Sequence, residues 1–204
     1  MTSGVSIIKK ADLKFSRWSG GSMTELFIYP PEASFEARDF LFSLVSATID
    51  LEESVFSDLS GYTRLIMSLD NRLELRHDDD SQAVFLDKFE PHLFDGGSKT
   101  ISHGRLRDFN FVLKTGLCQG DIQVISLTSG GAAHARKRTD LNVDVFEFAY
   151  APYAPFVFSG PERLEVQAGD LLMLDQGCLR SGYCYVNDGS SVCDLIICLA
   201  VIKR

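Results

Sequence analysis

The polar residues best placed for chemistry are Asp108 and Asn110, which lie two positions apart in the segment GRLRDFNFVLKTG. In a β-strand, residues two apart share a face, so we expect both side chains on one side and Phe109 on the other. An Asn side chain offers a donor and an acceptor to an amide or formyl group. An Asp carboxylate accepts from a ligand N–H or orients an arginine. The alternative interpretation is a hydrogen-bonded pair that braces the mouth of a barrel.

Arg64 ends the block FSDLSGYTR, where a strand is expected to begin. A guanidinium at this position could hold a carboxylate through two parallel hydrogen bonds. The alternative is a structural ion pair with a carboxylate such as Asp108. The block therefore predicts either a binding site for an anion or a salt bridge within the fold.

The block WSGGSMTE combines an indole with hydroxyl groups and a carboxylate. Its two glycines allow a close approach of the backbone, so Trp18, Thr24 and Glu25 could form a lip over a binding cavity. Packing of Trp18 into the core is the alternative, because large aromatic side chains dominate the interiors of β-proteins. Three other aromatic residues are predicted to pack rather than to recognise a ligand: Phe56, Phe109 and Phe111.

The histidines follow no metal-ligand spacing, because no H-x-H pair is present. They are scattered single residues, and the one in the acidic segment, His77, is expected in solvent; the four are His77, His92, His103 and His134. The chain also lacks G-x-S-x-G, and Cys118 has no neighbouring base that would activate its thiol. We therefore predict no metal site, no cofactor and no catalytic residue.

Composition and charge exclude several classes of partner. The 204 residues are 45% hydrophobic, which indicates a folded chain, and the net charge of −8 disfavours nucleic acid and anionic membrane surfaces. Five cysteines are an odd number without metal-ligand spacing and are interpreted as reduced thiols. The N-terminal residues do not resemble a signal peptide, and the longest apolar run, Leu195–Ile202, is too short to span a bilayer. A cytoplasmic protein is expected.

The elements that must position these residues are β-strands. Apolar segments are short, β-branched or aromatic, and separated by turn residues, which favours an all-β barrel or sandwich. Asp70-Asn71 and Gly169-Asp170 each separate two such segments, and both are predicted to be hairpin turns. Each half has a strand, a turn, a strand and then an Asp- or Gly-containing turn, a faint repeat typical of a double-stranded β-helix.

Four blocks in order resemble the HutD/Ves family: WSGGSMTE, FSLVSA, FSDLSGYTR and GRLRDFNFVLKTG. The family has a Trp before a Gly-Thr-rich turn, a Ser-x-Ala element, a Phe-Ser-x-x-x-Gly-x-x-Arg block and an Asp-Phe-Asn block. The resemblance spans roughly residues 5 to 200, and its specific motifs end by residue 116. Two positions depart from the pattern, since Ser43 stands where the family often has Arg and Asn71 where it often has Gly. The counterparts here are Trp18, Ser46, Ala47, Phe56, Ser57, Gly61, Arg64, Asp108, Phe109 and Asn110.

The resemblance implies a bicupin, that is, two double-stranded β-helix barrels of the RmlC-like jelly-roll type packed together. We expect residues 1–116 to form the first half and residues 117–204 the second, with the C-terminal strand packing back on the first half. A homodimer is expected by analogy with other cupins. The predicted ligand-binding residues are Trp18, Thr24, Glu25, Ser46, Arg64, Asp108 and Asn110.

The resemblance also implies a role in histidine utilisation, in which HutD-like proteins are thought to bind N-formylglutamate or a similar intermediate and to restrain the pathway. The first hypothesis is therefore a metal-free regulatory protein that binds a small acidic metabolite. The second is a metal-independent cupin enzyme, an isomerase or hydrolase, with Asp108 or His103 as general base. The third is a stress-related scaffold of the Ves type whose barrels are filled by side chains.

Overall fold

The computed structural model describes residues 4–78, 82–135 and 143–203. Nearly all of its regular structure is β-strand, which confirms the all-β prediction. Among the described residues the helices are a 3-10 turn at Lys10–Asp12 and a single α-helical turn, α1, at Gln176–Leu179. The strands are β1 Val5–Ile8, β2 Lys14–Trp18, β3 Gly21–Tyr29, β4 Phe42–Ile49, β5 Glu53–Val55, β6 Tyr62–Ser68, β7 Leu73–His77, β8 Val84–Leu86, β9 His92–Asp95, β10 Thr100–His103, β11 Leu106–Lys114, β12 Cys118–Leu127, β13 Ala132–His134, β14 Asp144–Tyr150, β15 Phe156–Ser159, β16 Arg163–Val166, β17 Leu171–Leu174, β18 Cys184–Val186 and β19 Cys193–Ile202.

Residues Leu13–Gln119 form one compact unit, here called the first barrel, which consists of two sheets. The six-stranded sheet has the order β2-β3-β4-β11-β6-β9, and the four-stranded sheet has the order β5-β10-β7-β8. Burial of an aliphatic side chain stabilises a fold by about 1.5–3 kcal/mol, so a cluster that draws on both sheets holds them face to face. Its buried members are Ile49, Ile66, Leu73, Leu75, Leu86 and Leu106.

Strand β11 lies at the centre of the six-stranded sheet, between β4 and β6. Asp108 stands opposite Ala47 of β4, and Asn110 stands opposite Ile66 of β6. Opposed residues of antiparallel strands share a face, and Arg64 lies two positions before Ile66. The alternation of the strands therefore places Arg64, Asp108 and Asn110 on one face.

The two turns predicted to form hairpins connect different sheets, so the hairpin prediction is wrong at both. Strand β6 belongs to the six-stranded sheet and β7 to the four-stranded one, and the strands on either side of Gly169-Asp170 are likewise separated. Asp70 holds the first corner, because its Oδ1 accepts hydrogen bonds from the backbone N–H groups of Asn71 and Arg107, both at 2.9 Å. Turn residues signal a change of direction but do not determine whether the flanking strands pair.

The described residues of Met1–Asp12 and Gly120–Arg204 form the other compact unit, here called the second barrel. Its sheets have the orders β1-β17-β14-β19-β12 and β13-β18-β15-β16. Phe158, Leu172 and Leu195 are among the fully buried side chains of its core. Glu147 is also buried there, and its Oε1 accepts hydrogen bonds from the hydroxyls of Tyr183 and Tyr185, both at 2.7 Å.

The units differ from the expected division in two respects. The boundary near residue 119 is close to the expected one, but the N-terminal strand β1 pairs with β17 of the second barrel. Asp170 fixes this segment by accepting hydrogen bonds from Lys9 Nζ and from the backbone N–H of Lys10, both at 2.8 Å. The C-terminal strand β19 does not join a sheet of the first barrel. It pairs with β14 inside its own unit, where every second residue from Ile196 to Ile202 is buried.

Two leucines on strands of the first barrel test how far this packing sustains the fold. Leu75 is fully buried, whereas 59% of Leu93 is exposed. We expect Leu75→Ala to lower the free energy of unfolding by about 2–5 kcal/mol and Leu93→Ala by no more than about 0.5 kcal/mol. Urea unfolding followed by circular dichroism measures both. Equal losses in the two variants would contradict the assignment of Leu75 to the core.

Candidate functional site

A cavity of about 520 Å³ opens on the face of the six-stranded sheet that carries Arg64, Asp108 and Asn110. Strands β2, β3, β4, β6 and β11 supply most of its wall, and the segments at residues 34–36 and 56–59 supply the rest. Most of the exposed area of the wall is apolar, as is usual for small-molecule sites, and six of its nineteen residues are charged while one is an amide. The lining residues are Lys14, Phe15, Ser16, Arg17, Trp18, Met23, Glu25, Ser34, Phe35, Glu36, Val45, Ala47, Phe56, Ser57, Leu59, Arg64, Asp108, Asn110 and Val112.

The three central polar side chains form a hydrogen-bonded chain in the cavity wall. Arg64 Nη2 donates to Asn110 Oδ1 at 2.7 Å, and Asn110 Nδ2 donates to Asp108 Oδ1 at 2.6 Å. All three residues are buried. The amide of Asn110 therefore stands between the cation and the carboxyl group, and it links the two charges that the sequence suggested as a direct ion pair.

Two phenylalanine rings flank the guanidinium of Arg64. Its Cζ lies 4.8 Å from the centroid of Phe56 and 5.1 Å from that of Phe94. Such cation–π contacts contribute about 0.5–2 kcal/mol each, with the larger values at desolvated sites. Arg64 Nε is buried and makes no hydrogen bond to any described residue. The guanidinium is thus fixed in position while one of its donors is unsatisfied.

Burial changes the proton affinity of both charged groups. Desolvation lowers the pKa of Arg64 to about 10, although attraction by Asp108 opposes the shift, so the guanidinium stays charged at neutral pH. Desolvation raises the pKa of Asp108 to about 7 against the opposing effects of Arg64, the Asn110 amide and the backbone N–H of Ala47. The cavity therefore contains a permanent cation and a carboxyl group that titrates near neutral pH.

Five of the seven predicted site residues line the cavity, and two do not. Ser46 and Thr24 stand opposite each other on β4 and β3, between residues whose side chains face the cavity. Because strand residues alternate between faces, both lie on the other side of the sheet. There the hydroxyl of Ser46 donates to the backbone carbonyl of Asp108 at 3.1 Å. The five that line the cavity are Trp18, Glu25, Arg64, Asp108 and Asn110.

Trp18 and Glu25 lie in the half of the wall formed by β2 and β3. Trp18 donates from Nε1 to the backbone carbonyl of Ser22 at 3.3 Å and packs edge-on against Phe56 at 6.2 Å between centroids. Glu25 pairs with Lys14 at 3.4 Å. Trp18 is thus both a wall residue and a packing residue, and the two interpretations from the sequence are not exclusive.

Sequence reasoning missed several wall residues. Phe56, predicted only to pack, lies against Arg64, and Met23, Val45 and Ala47 line the cavity from β3 and β4. The alternation of these strands could have found the last three, because each lies two positions from another wall residue or opposite one. Phe94, which flanks Arg64 without lining the cavity, carries no such signal, because β9 is short and reaches Arg64 only through pairing with β6.

The histidines are not all isolated, which corrects the expectation from their spacing. His77 and His92 meet with their Nε2 atoms 3.1 Å apart, while Nδ1 of His103 lies 3.8 Å from a carboxylate oxygen of Glu53. In the described part of the chain, no group of three or more His, Cys, Asp or Glu residues is arranged to hold a metal ion. His77 is half-buried rather than free in solvent.

The cysteines are free thiols, and four of the five are buried. Burial raises the pKa of both Cys178 and Cys193 to about 11. Thiols that stay protonated at neutral pH are poor nucleophiles.

The comparisons with known proteins agree with this architecture. The fold is that of a cupin, since the described units resemble solved proteins of that fold over nearly the whole chain. The profile of the HutD family matches residues 10–180. The chain therefore belongs to the HutD family, as its motifs predicted. No curated protein matches the sequence.

Two of the similar solved structures come from pseudomonads. A conserved protein of unknown function from Pseudomonas aeruginosa has a TM-score of 0.76 and 19% identity, covering 98% of this chain and 99% of its own. HutD from Pseudomonas fluorescens has a TM-score of 0.69 and 21% identity, covering 95% and 97%. The pirin YhhW from Escherichia coli, solved with nickel(II), has a TM-score of 0.68 at 8% identity, covering 98% and 99%. At these identities the likeness shows the fold alone.

Within the described ranges, no helix has the length and apolar character needed to cross a bilayer.

Asp108 should leave a measurable signature in stability. Its folded pKa of about 7 lies above its ordinary value of 3.8, so the folded state binds more protons than the unfolded state between these values. Stability should therefore fall as pH rises from about 4 to 7, by at most about 1.4 kcal/mol per pH unit. Urea unfolding across this range should show a flatter profile for Asp108→Asn, and exposed Asp87→Asn serves as control. An identical profile in wild type and Asp108→Asn would refute the assignment.

Proposed function

We propose that this protein is a HutD-type regulatory protein that binds a small acidic metabolite in the cavity of the first barrel. Arg64 would hold a carboxylate of the ligand, and no metal would take part at the cavity. The main observation in support is the buried guanidinium of Arg64, which lines the cavity and has an Nε without a hydrogen-bond partner among the described residues.

The electrostatics of the wall support an anionic ligand. A buried cation is costly unless a counter-charge or hydrogen bonds compensate for its lost hydration. Arg64 donates a hydrogen bond to the neutral amide oxygen of Asn110. Asp108, whose pKa is about 7, carries only part of a negative charge at neutral pH. A ligand carboxylate would supply the missing charge and acceptor.

The hydrogen bonds also support separate roles for the two other polar groups in this proposal. Asn110 uses its carbonyl oxygen on Arg64 and its amide on Asp108, so its main task would be to orient the guanidinium. Asp108 would accept an N–H of the ligand, such as that of an amide or formamide. The apolar remainder of the wall, including Phe56 and Val112, would exclude water.

Membership of the HutD family makes an intermediate of histidine utilisation the preferred ligand, and N-formylglutamate carries both carboxylates and a formamide N–H. The structurally similar HutD from Pseudomonas fluorescens was solved in a formate condition, and formate is the simplest carboxylate. Binding would restrain the pathway rather than consume the metabolite. The five free thiols fit a reducing compartment such as the cytoplasm, and a homodimer is the assembly we propose by analogy with other cupins.

The Arg64 hypothesis is tested by thermal-shift and calorimetric titration with N-formylglutamate, urocanate and glutamate. A selective ligand should raise the melting temperature of the wild type. Loss of a charge-assisted hydrogen bond is worth about 1.5–3 kcal/mol, so Arg64→Ala should bind that ligand about 10 to 150 times more weakly. Arg105→Ala, which removes an exposed arginine outside the cavity, is the matched control. Unchanged affinity in a folded Arg64→Ala variant would remove Arg64 from the site.

A second candidate is a metal-independent enzyme, an isomerase or hydrolase, because a carboxyl group with a pKa of about 7 beside a cavity suits a general base. Asp108 is the group in question, since His103 is not among the cavity residues. Incubation of the protein with a bound metabolite, followed by NMR, separates the two functions. Product formation that Asp108→Asn abolishes would favour the enzyme, and an unchanged metabolite would favour the binding protein.

The scaffold hypothesis has less support. It requires barrels that are filled by side chains, whereas the first barrel holds a cavity with charged groups in its wall.

A further inference from the structure

His77 and His92 form a close pair that does not line the cavity. His77 ends β7 in the four-stranded sheet, and His92 begins β9 at the edge of the six-stranded sheet. Their Nε2 atoms are 3.1 Å apart, and the ring centroids are 5.2 Å apart with the ring planes inclined by 24°. Both side chains are half-buried, so the pair is within reach of solvent.

Hydrogen bonds determine which nitrogen of His77 carries the proton. The hydroxyl of Thr100 has one hydrogen, and it donates this to the backbone carbonyl of Ser98 at 3.0 Å. The same oxygen lies 2.9 Å from Nδ1 of His77 and must therefore accept from it. In neutral His77 the Nε2 atom then carries a lone pair, and it accepts a hydrogen bond from Nε2–H of His92 at 3.1 Å. An ion that binds both Nε2 atoms would replace this proton, and neutral His92 would then carry its proton on Nδ1. Metal-binding histidines are commonly oriented in this way, by a hydrogen bond from the other ring nitrogen.

The distance between the two nitrogens suits a shared ion. With metal–nitrogen bonds of about 2.0–2.1 Å, a separation of 3.1 Å corresponds to a nitrogen–metal–nitrogen angle of about 98°. This value lies between the angle of about 90° in octahedral sites and that of about 109° in tetrahedral sites. One ion could contact both Nε2 atoms in place of the proton that lies between them.

The charges around the pair leave both rings neutral, which is the form that binds metals. Burial lowers the pKa of His77, His92 and Arg64 lower it further, and Asp78 opposes them. Burial likewise lowers the pKa of His92, against the opposing effect of Glu90. The two carboxylates favour an added cation and the buried guanidinium disfavours it.

We infer that His77 and His92 bind one divalent transition-metal ion of the borderline class, such as Zn²⁺, through their Nε2 atoms, with water in the remaining coordination positions. Imidazole is a preferred ligand of Zn²⁺, Cu²⁺ and Ni²⁺. The site is separate from the metabolite cavity and does not depend on the function proposed for it. The ring of Phe94 lies between the two, 4.7 Å from His77 and 5.1 Å from the guanidinium of Arg64.

The test is Zn²⁺ binding to tag-free, chelator-treated protein, measured by equilibrium dialysis with metal analysis and by competition with a chromophoric chelator. We expect one ion per chain. His77→Gln and His92→Gln should each weaken binding at least about tenfold, and Thr100→Val, which removes the orienting hydrogen bond together with the one to Ser98, by about 10 to 100-fold. Circular dichroism verifies folding, and His92→Gln decides the question if the His77 variant does not fold.

The control variants are His103→Gln and His134→Gln, which should bind as the wild type does. His134 stands opposite Cys184 in the β13–β18 pair and is the main competing site. Co²⁺ as a probe adds a check, because thiolate ligation would give an intense charge-transfer band that the histidine pair cannot. The inference is overturned if the wild type binds no stoichiometric Zn²⁺, if His92→Gln binds it equally well, or if His134→Gln abolishes binding.

Discussion

The burial of one guanidinium constrains the whole first barrel. Arg64 needs an acceptor, ring faces on both sides and a nearby negative charge, and three elements supply them: β11 supplies Asn110 and Asp108, β9 supplies Phe94 and the segment after β5 supplies Phe56. These elements lie together only when both sheets are assembled. The cost of hiding the charge is offset by contacts that exist only in the complete barrel, so the site and the fold are specified by the same residues.

Much of this site could be predicted from local pattern, and the errors have two causes. The spacing of Asp108 and Asn110 correctly placed both on one face, since alternation in a strand is a local property. Thr24 and Ser46 were predicted to line the site, but they lie on the opposite face of the sheet. A sequence does not reveal which alternate residues of a strand point inward when both faces are covered. Phe94 was missed because its position depends on long-range pairing of β9 with β6.

The fold was predictable at the level of class but not of connection. Short apolar segments and regular turns identified an all-β chain, and four ordered blocks identified the family. The predicted hairpins failed at Asp70 and Gly169 because the flanking strands belong to facing sheets, a choice made by burial in the shared core rather than by the turn. The N-terminal strand joined the second barrel for a similar reason, since Asp170 and β17 offer partners that its own sequence does not reveal.

Asp70, at the corner between β6 and β7, connects an outer turn of the first barrel to the start of β11 and so to the buried site. Its carboxylate does not line the cavity, yet it holds the backbone of Arg107, the residue immediately before Asp108, and bonds the Arg107 side chain at 3.2 Å. Replacing Asp70 would free the start of β11 and let the depth of Asp108 in the wall drift. For the ligand proposed above, such a drift would alter the binding preference although Asp70 itself does not line the cavity. Variation among related chains at this outer turn is thus a route by which selectivity can diverge while every cavity side chain stays the same.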